Sequence, residues 1–246
     1  MGLQRRPIQS RPQPNNPAQH FDLHGKVFAY IVSTSYPNPP KNFELRRNAR
    51  ANAQDNPSNI GNSTSATQKP WMKPWPPSPA EKNRLDGVIA AAGVNHLGNA
   101  TDHTEQDIDR VMRINYIGAF HTATAAANYM RLHNSLGSIL LVASMSGLIA
   151  NKGMVSPVYN SSKAAVIQCA RQFGVNSLCP GHIATPMAQM VMDKSPETKK
   201  VWESENMLGR LAQPGEFAGP AIFLLSDASS FVTGSTVVID GGHTAW

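Results

Sequence analysis

The chain has 246 residues, of which 41% are hydrophobic, and this is enough to bury the core of a single α/β domain. It has no run of about 18 apolar residues and no apolar signal region near its first residue, so we expect neither a membrane-spanning helix nor a secretory leader. Its 2 cysteines and 8 histidines show no disulfide framework and no metal-ligand spacing, so we expect a cytoplasmic protein that binds no metal.

The net charge of +6 is distributed unevenly along the chain. Residues 1–84 contain 12 Lys and Arg against 4 Asp and Glu, whereas residues 85–246 contain 10 against 12. The first part also holds 13 of the 19 prolines. A nucleic-acid site over residues 1–84 would rest on this charge alone, and we expect no nucleic-acid partner.

The first part is predicted to contain little regular structure. The prolines near the start favour a disordered tail over 1–22 rather than the amphipathic helix of a mitochondrial transit peptide. The apolar run 27–32 predicts a buried strand. Residues 36–80 are rich in Pro, Ser, Thr and Asn, and we expect them to be irregular. The domain is therefore expected to span 23–246.

From residue 85 onwards, apolar runs of strand length alternate with helical patterns. Thr104, with Asp107 three residues later, predicts the capped start of a long helix over 104–131. The other predicted elements are strands over 85–91, 138–143, 175–179 and 236–239, and helices over 159–173, 196–207 and 214–226. This alternation predicts an α/β fold, a single Rossmann-like domain with a doubly wound parallel sheet.

Tyr159 and Lys163 lie four residues apart at the start of a predicted helix, so their side chains share one face. A nearby ammonium favours the phenolate and would move the pKa of Tyr159 from about 10 toward that of a general acid and base at neutral pH. Ser144 ends the preceding predicted strand, at the sheet edge where such folds bind ligands. Taken alone, a Tyr and a Lys at this spacing more often lie on the ordinary surface of a helix.

Several motifs follow one another in the second part of the chain, beginning with Ala90-Ala-Ala-Gly93 and Asn115. The next are 137–144 with Ser144, the Tyr159-x-x-x-Lys163 pair, 175–181, Thr185-Pro-Met187, 209–211, 223–226 and 233–242. In this order they resemble the short-chain dehydrogenase/reductase family, and particularly its fungal polyol and ketose reductases. The resemblance covers residues 85–246.

The resemblance implies an oxidoreductase that transfers a hydride between NAD(P) and a small alcohol or ketone, a polyol or ketose, with NADP slightly favoured over NAD. Tyr159 would exchange a proton with the substrate oxygen, and Ser144 would hydrogen-bond that same oxygen. Lys163 would lower the Tyr159 pKa and bind the nicotinamide ribose. Asn115 would complete a proton relay, or would only bond to nearby backbone. The implied cofactor-binding residues are Ala91, Gly93, Tyr159, Lys163, Pro180, Gly181, Ile183 and Thr185.

The chain departs from the family in its cofactor loop. Gly61 is the only glycine between Gly25 and Gly87, so the family's T-G-x-x-x-G-x-G loop, which binds the pyrophosphate, is missing and the N-terminal part of the fold is incomplete. Losing two or three phosphate contacts, at about 1.5–3 kcal/mol each, would weaken cofactor binding by on the order of 3–9 kcal/mol. The alternative to an active enzyme is therefore an impaired relative that cannot hold the dinucleotide, or a chain from which coding segments are missing.

A second departure follows Phe173. The family's helix continues here, whereas this chain passes through Gly174 directly into the next predicted strand. Gly174 can end a helix, and we expect strain or fraying at this point. Family oligomers often pack through this helix, so its shortening weakens the prediction of a homo-oligomer.

Overall fold

The computed structural model describes residues 21–23, 26, 28–31, 84–195 and 197–246. Most of the tail predicted over 1–22 and the whole irregular segment predicted over 36–80 lie outside these residues. Within the described part, five parallel strands form one sheet, in the order in which they follow along the chain. They are β1 (Phe28–Ile31), β2 (Gly87–Ala90), β3 (Ser138–Val142), β4 (Asn176–Pro180) and β5 (Thr236–Ile239).

The predicted strands are confirmed, with small shifts at their ends. β5 coincides with the predicted strand 236–239, while β2 is shorter than 85–91. β4 begins one residue later than predicted and includes Pro180, which pairs with Ile239 in β5. Pro180 is tolerated because it is the last residue of the strand, where a missing N–H donor interrupts no ladder.

Six α-helices connect the strands in the described residues: α1 (Glu105–Met112), α2 (Gly118–Leu132), α3 (Pro157–Phe173), α4 (Pro186–Lys194), α5 (Glu197–Ser204) and α6 (Ala218–Leu225). The capped start at Thr104 is confirmed, because its hydroxyl accepts from the Asp107 N–H and the Asp107 carboxylate accepts from the Thr104 N–H. No helix in these ranges combines the length and the apolar character needed to cross a bilayer.

The single helix expected over 104–131 is interrupted. Residues Arg113–Ile117 are π-helical, and the Gly118 N–H donates to the Arg113 carbonyl five positions back. π-helical turns are rare in proteins, and many of those that occur lie at functional sites. The interruption separates α1 from α2 and contains Asn115.

The helices after β4 also differ from expectation. α4 was not predicted, and its N-cap is Thr185, whose hydroxyl accepts from the Ala188 N–H. α5 is shorter than the helix predicted over 196–207. The helix predicted over 214–226 is divided into the 3₁₀ turn Pro214–Phe217 and α6.

The expected strain or fraying at the end of α3 is wrong. Gly174 has φ 74°, in the left-handed region that glycine adopts without steric cost. Its N–H donates to the Arg171 carbonyl, and the Val175 N–H donates to the Ala170 carbonyl at 3.0 Å. These two bonds form a Schellman cap, so the short connection to β4 ends the helix in a regular way.

The sheet is covered on both faces, as a doubly wound fold requires. Apolar residues of α2 and α3 pack against one face together with Ile139 and Leu141 of β3. Leu224 and Leu225 of α6 pack against the other face with Leu140. The strand residues alternate between the two faces, because successive side chains of a strand point in opposite directions. Because all five strands are parallel, their carboxyl ends meet at one edge of the sheet.

Candidate active site

Ser144, Tyr159 and Lys163 converge at the carboxyl end of β3. Ser144 lies two residues beyond Val142, and its Oγ accepts from the Ser146 N–H at 3.2 Å. The Ser144 side chain lies close enough to the Tyr159 hydroxyl to lower the pKa of that phenol. The Lys163 Nζ lies 5.7 Å from the centroid of the Tyr159 ring. The three predicted groups are therefore assembled on one side of the sheet edge.

Gly147 sets the spacing between the Ser144 turn and α3. A Cβ at this position would lie 2.7 Å from the carbonyl carbon of Lys163 and 2.8 Å from the amide nitrogen of Ala164. The turn therefore packs directly on the helix backbone, which brings Ser144 to Tyr159. Gly147 was not among the predicted site residues; its only signal in the sequence is a glycine three positions after Ser144.

Lys163 is buried, with 3% of its surface exposed. Its Nζ donates to the Val142 carbonyl at 2.9 Å. Burial lowers the pKa of Lys163 to about 8, because removal from water penalises the ammonium form. An ammonium has three N–H donors, so this side chain can serve a ligand as well as Val142.

The expected lowering of the Tyr159 pKa is wrong, because the pKa of Tyr159 is raised. Burial raises the pKa of Tyr159, and this effect outweighs the hydrogen bond with Ser144, which lowers it. The Lys163 ammonium donates to the Val142 carbonyl and lies over the Tyr159 ring, and burial rather than Lys163 sets the direction of the Tyr159 pKa shift. Tyr159 is consequently a phenol at neutral pH.

Asn115 is buried within the π-helical turn. Its Oδ1 accepts from the Val94 N–H at 2.8 Å, and its Nδ2 donates to the Val94 carbonyl and to Ser162 Oγ, both at 2.9 Å. The Ser162 hydroxyl in turn donates to the Tyr159 carbonyl at 2.7 Å. The role of Asn115 in bonding to backbone is confirmed, while its part in a proton relay stays a prediction.

Ala91 and Gly93 follow the carboxyl end of β2. A Cβ at Gly93 would lie 3.3 Å from Lys163 Nζ and 3.6 Å from Asn115 Oδ1. Glycine thus leaves room beside the ammonium that any side chain would fill. Lys163 Nζ is therefore approachable from this side, as it would have to be to bind the nicotinamide ribose that the family resemblance assigns to it.

The other predicted cofactor residues lie in one turn after β4. Pro180 is the last residue of that strand, and a Cβ at Gly181 would lie 2.6 Å from Asp240 Cα, so the turn packs against the end of β5. The Thr185 N–H donates to the Ile183 carbonyl at 2.8 Å. The described residues therefore fit the nicotinamide end of a dinucleotide. The chain that follows β1, where the family binds the pyrophosphate, lies outside them.

Cys179 is a neighbour of the site that sequence reasoning did not assign to it. Its side chain is fully buried in β4, and burial raises its pKa to about 11. Lys163 and Tyr159 lie near enough for a thiolate at Cys179 to affect their pKa values. At neutral pH Cys179 is a thiol, so it brings no charge to them. No sequence pattern distinguishes such a cysteine from a core residue.

An open cavity of about 920 Å³ lies beside α4 and α5. Its lining includes Ala184, Asp193, Lys199 and Arg210, but none of the three convergent groups. Ala184 belongs to the turn after β4, so the cavity adjoins the predicted cofactor turn. The hydroxyls of Ser144 and Tyr159 do not line it.

A family described as enoyl-(acyl carrier protein) reductase matches residues 79–244. A short-chain dehydrogenase/reductase of Aspergillus versicolor is 38% identical over 181 residues, which cover 68% of this chain and 62% of that protein. The ribulose-forming D-arabinitol 2-dehydrogenase of Candida tropicalis is 36% identical, with coverage of 67% and 64%. An NADP-dependent mannitol dehydrogenase of Hypocrea jecorina is 34% identical, with coverage of 65% and 62%.

Among solved structures, a short-chain type dehydrogenase/reductase from Mycobacterium marinum has a TM-score of 0.63 and 34% identity, with 66% of each chain covered. The chain described here spans 62% to 64% of the length of the curated relatives named above. The similarity therefore concerns the part that carries Asn115, Ser144, Tyr159 and Lys163.

Proposed function

Because the chain belongs to the short-chain dehydrogenase/reductase family, we propose that it is an NAD(P)-dependent oxidoreductase that interconverts a ketone and an alcohol. The observation that carries this proposal is the convergence of Ser144 and Tyr159 beside a buried lysine, at the carboxyl edge of a parallel sheet. Open α/β sheets bind their ligands at that edge.

When bound, a nicotinamide dinucleotide would supply or accept the hydride. The Lys163 ammonium would donate to its ribose in the space beside Gly93. The backbone of Ile183 and the hydroxyl of Thr185 would hold its carboxamide, with Pro180 and Gly181 shaping that turn.

In the direction of reduction, the proton would come from Tyr159. Its raised pKa keeps the phenol protonated at neutral pH, which is the form that a general acid requires. Ser144 would donate a hydrogen bond to the same substrate oxygen, and the phenol proton would move to that oxygen as its charge develops. Lys163, with a pKa of about 8, would be largely charged at pH 7 and would stabilise the resulting phenolate.

A small polyol or ketose is the proposed substrate. This choice rests on the relatives named as D-arabinitol 2-dehydrogenase and mannitol dehydrogenase. NADP is favoured over NAD, because the mannitol dehydrogenase relative is NADP-dependent by name. The free thiols Cys169 and Cys179 support a reducing compartment, which we take to be the cytoplasm. A homo-oligomer stays a prediction.

The test is NADPH and NADH oxidation by the purified chain across a panel of ketopentoses and ketohexoses, followed by near-ultraviolet absorbance. We expect ketose-dependent oxidation that is faster with NADPH and is lost in Tyr159→Phe. A folded protein that binds NADPH in calorimetry but oxidises it with no ketose would contradict the substrate class. Failure to bind either dinucleotide at millimolar concentration would support the impaired relative, as the missing glycine loop predicts.

A further inference from the structure

Three potential metal ligands come together at a second place on the carboxyl edge of the sheet. His182 lies two residues beyond β4, Glu205 directly follows α5, and His243 lies four residues beyond β5. One ligand atom of each side chain lies within 4.8 Å of the others. β4 and β5 are adjacent and parallel, so the turns that carry the two histidines meet at one edge.

The two imidazoles have ring nitrogens whose hydrogen-bonding capacity is not used. His182 Nε2 and His243 Nδ1 are both buried, and neither has a hydrogen-bond partner. His243 is 9% exposed. Buried polar atoms normally have partners, so two orphaned nitrogens in one cluster indicate a ligand that both can bind.

Aromatic packing holds the two rings in place. The His182 ring stacks on Trp202 with centroids 4.3 Å apart and an interplanar angle of 9°. The His243 ring meets His182 edge-on, at 5.4 Å and 89°. This packing restrains both rings before any ligand arrives, which reduces the entropy lost on binding.

The backbone of the last turn directs His243 into the cluster. Gly241 and Gly242 have φ values of 67° and 84°. A Cβ at Gly242 would lie 2.8 Å from Met207 Cγ, so the turn packs closely on the segment that carries Glu205. On the other side, the Trp246 Nε1 donates to the Glu205 carbonyl at 3.0 Å.

The unpartnered ring nitrogens suit metal binding, because a neutral imidazole keeps a lone pair that can bind a metal ion. Glu205 adds the negative charge that a divalent ion needs.

We propose that His182, Glu205 and His243 bind a divalent transition-metal ion of the Zn²⁺ class, with water in the fourth position. Two histidines and one glutamate form one of the three-ligand sets that proteins use for Zn²⁺. Bonds of about 2.0–2.2 Å in a tetrahedron place the ligand atoms about 3.4 Å apart. The side chains must then close by at most about 1.4 Å from their present separation, which small torsional changes can provide.

This site departs from the expectation that the chain binds no metal. That expectation rested on ligand spacing along the sequence, and the three ligands stand 23 and 38 positions apart. Because His182 lies between Gly181 and Ile183, a metal here would tie the predicted nicotinamide turn to the last turn of the chain. The metal site does not depend on the proposed redox reaction, and the reaction needs no metal.

The test is titration of the full chain, stripped with a chelator, with Zn²⁺ in calorimetry and with Co²⁺ in visible spectroscopy. We expect one Zn²⁺ per chain and the intense visible bands of tetrahedral Co²⁺. Glu205→Gln and His243→Phe should each weaken Zn²⁺ binding by about tenfold or more. His133→Ala removes a histidine at the end of α2, far along the chain from the cluster, and should bind like the wild type.

Two results would overturn the proposal. One is the absence of Zn²⁺ binding by folded wild-type protein at submillimolar metal. The other is a Glu205→Gln variant that binds Zn²⁺ as tightly as the wild type. Should His243→Phe fail to fold, Glu205→Gln still decides, because its circular dichroism spectrum can be compared directly with that of the wild type.

Discussion

The ammonium nitrogen of Lys163 lies 5.7 Å from the centre of the Tyr159 ring, and both side chains come from the first turns of α3. Lys163 is buried and Tyr159 is half-buried, and lost hydration is the largest cause of the pKa shift of each. A substrate or cofactor that enters this site meets a phenol and an ammonium, which is the pair needed to deliver a proton and then hold the remaining charge.

Replacing Lys163 tests whether its ammonium group is removed from water in the folded protein. The test uses the pH dependence of the free energy of unfolding. The Lys163 pKa is about 8 in the folded protein against 10.5 in the unfolded chain. Between pH 8 and pH 10.5, Lys163 binds more protons in the unfolded chain than in the folded protein. The free energy of unfolding therefore rises with pH in this range. From pH 8 to pH 10.5, wild type should therefore gain about 3 kcal/mol relative to Lys163→Met. Below pH 8 the difference should be constant.

Urea unfolding across this pH range provides the measurement. Lys152→Met changes an exposed lysine in the loop before α3 and is expected to follow the wild type. Parallel stability curves for wild type and Lys163→Met would show that the Lys163 ammonium is not desolvated in the folded state.

Ser144→Ala should slow turnover without unfolding the protein. Removing one donor to the oxygen that gains charge in the transition state typically lowers kcat by about 10²–10³ fold. Ser161→Ala changes an exposed serine of α3 between Tyr159 and Lys163 and serves as the control, with kcat unchanged. If the two variants had equal steady-state kinetics, Ser144 would have no part in the reaction.

Asn115→Ala should destabilise the fold by about 2–4 kcal/mol. The substitution leaves the buried N–H and carbonyl of Val94 without their partner and removes the link to Ser162. Chemical denaturation gives the free energy of unfolding. Asn128→Ala, on the exposed side of α2, should change it by less than about 0.5 kcal/mol. If Asn115→Ala also changed the free energy of unfolding by less than about 0.5 kcal/mol, the hydrogen bonds of Asn115 would make no net contribution to stability.

Two glycines provide a paired test of close approach. Gly181→Ala places a Cβ 2.6 Å from Asp240 Cα, so β4 and β5 must separate at their ends, and we expect a loss of about 1–3 kcal/mol of stability. Gly219 lies in α6 with no atom within 4 Å of such a Cβ. Gly219→Ala should therefore stabilise by about 0.4–1 kcal/mol. In thermal unfolding, destabilisation by Gly181→Ala together with stabilisation by Gly219→Ala would support the structure. Equal stabilisation by the two substitutions would contradict the close contact at Gly181.

Local patterns were enough to predict most of the fold. β5 is predicted from a short apolar run bounded by glycines, and the start of α1 from the reciprocal bonding of Thr104 and Asp107. Ser144 and Tyr159 could be placed together because the carboxyl ends of parallel strands share one edge and one helix face carries Tyr159 and Lys163.

Features that depend on the folded environment could not be predicted in this way. The direction of the Tyr159 pKa shift follows from burial, which the spacing of Tyr159 and Lys163 does not reveal. The π-helical turn carries Asn115, whose hydrogen-bond partners Val94 and Ser162 come from distant parts of the chain. The cluster of His182, Glu205 and His243 exists only because separate turns meet in space.

The central claim is that the residues around Tyr159 carry a hydride-transfer site, and transfer of deuterium tests it most directly. The purified chain would be given a ketose and saturating NADPH that carries deuterium at the transferred position, and the polyol would be analysed by mass spectrometry. The account predicts a polyol with one deuterium on the carbinol carbon from wild type, and none from Tyr159→Phe. The Tyr129→Phe control should form the same labelled product as wild type. Unlabelled product from wild type, or equal labelling by Tyr159→Phe, would contradict the account.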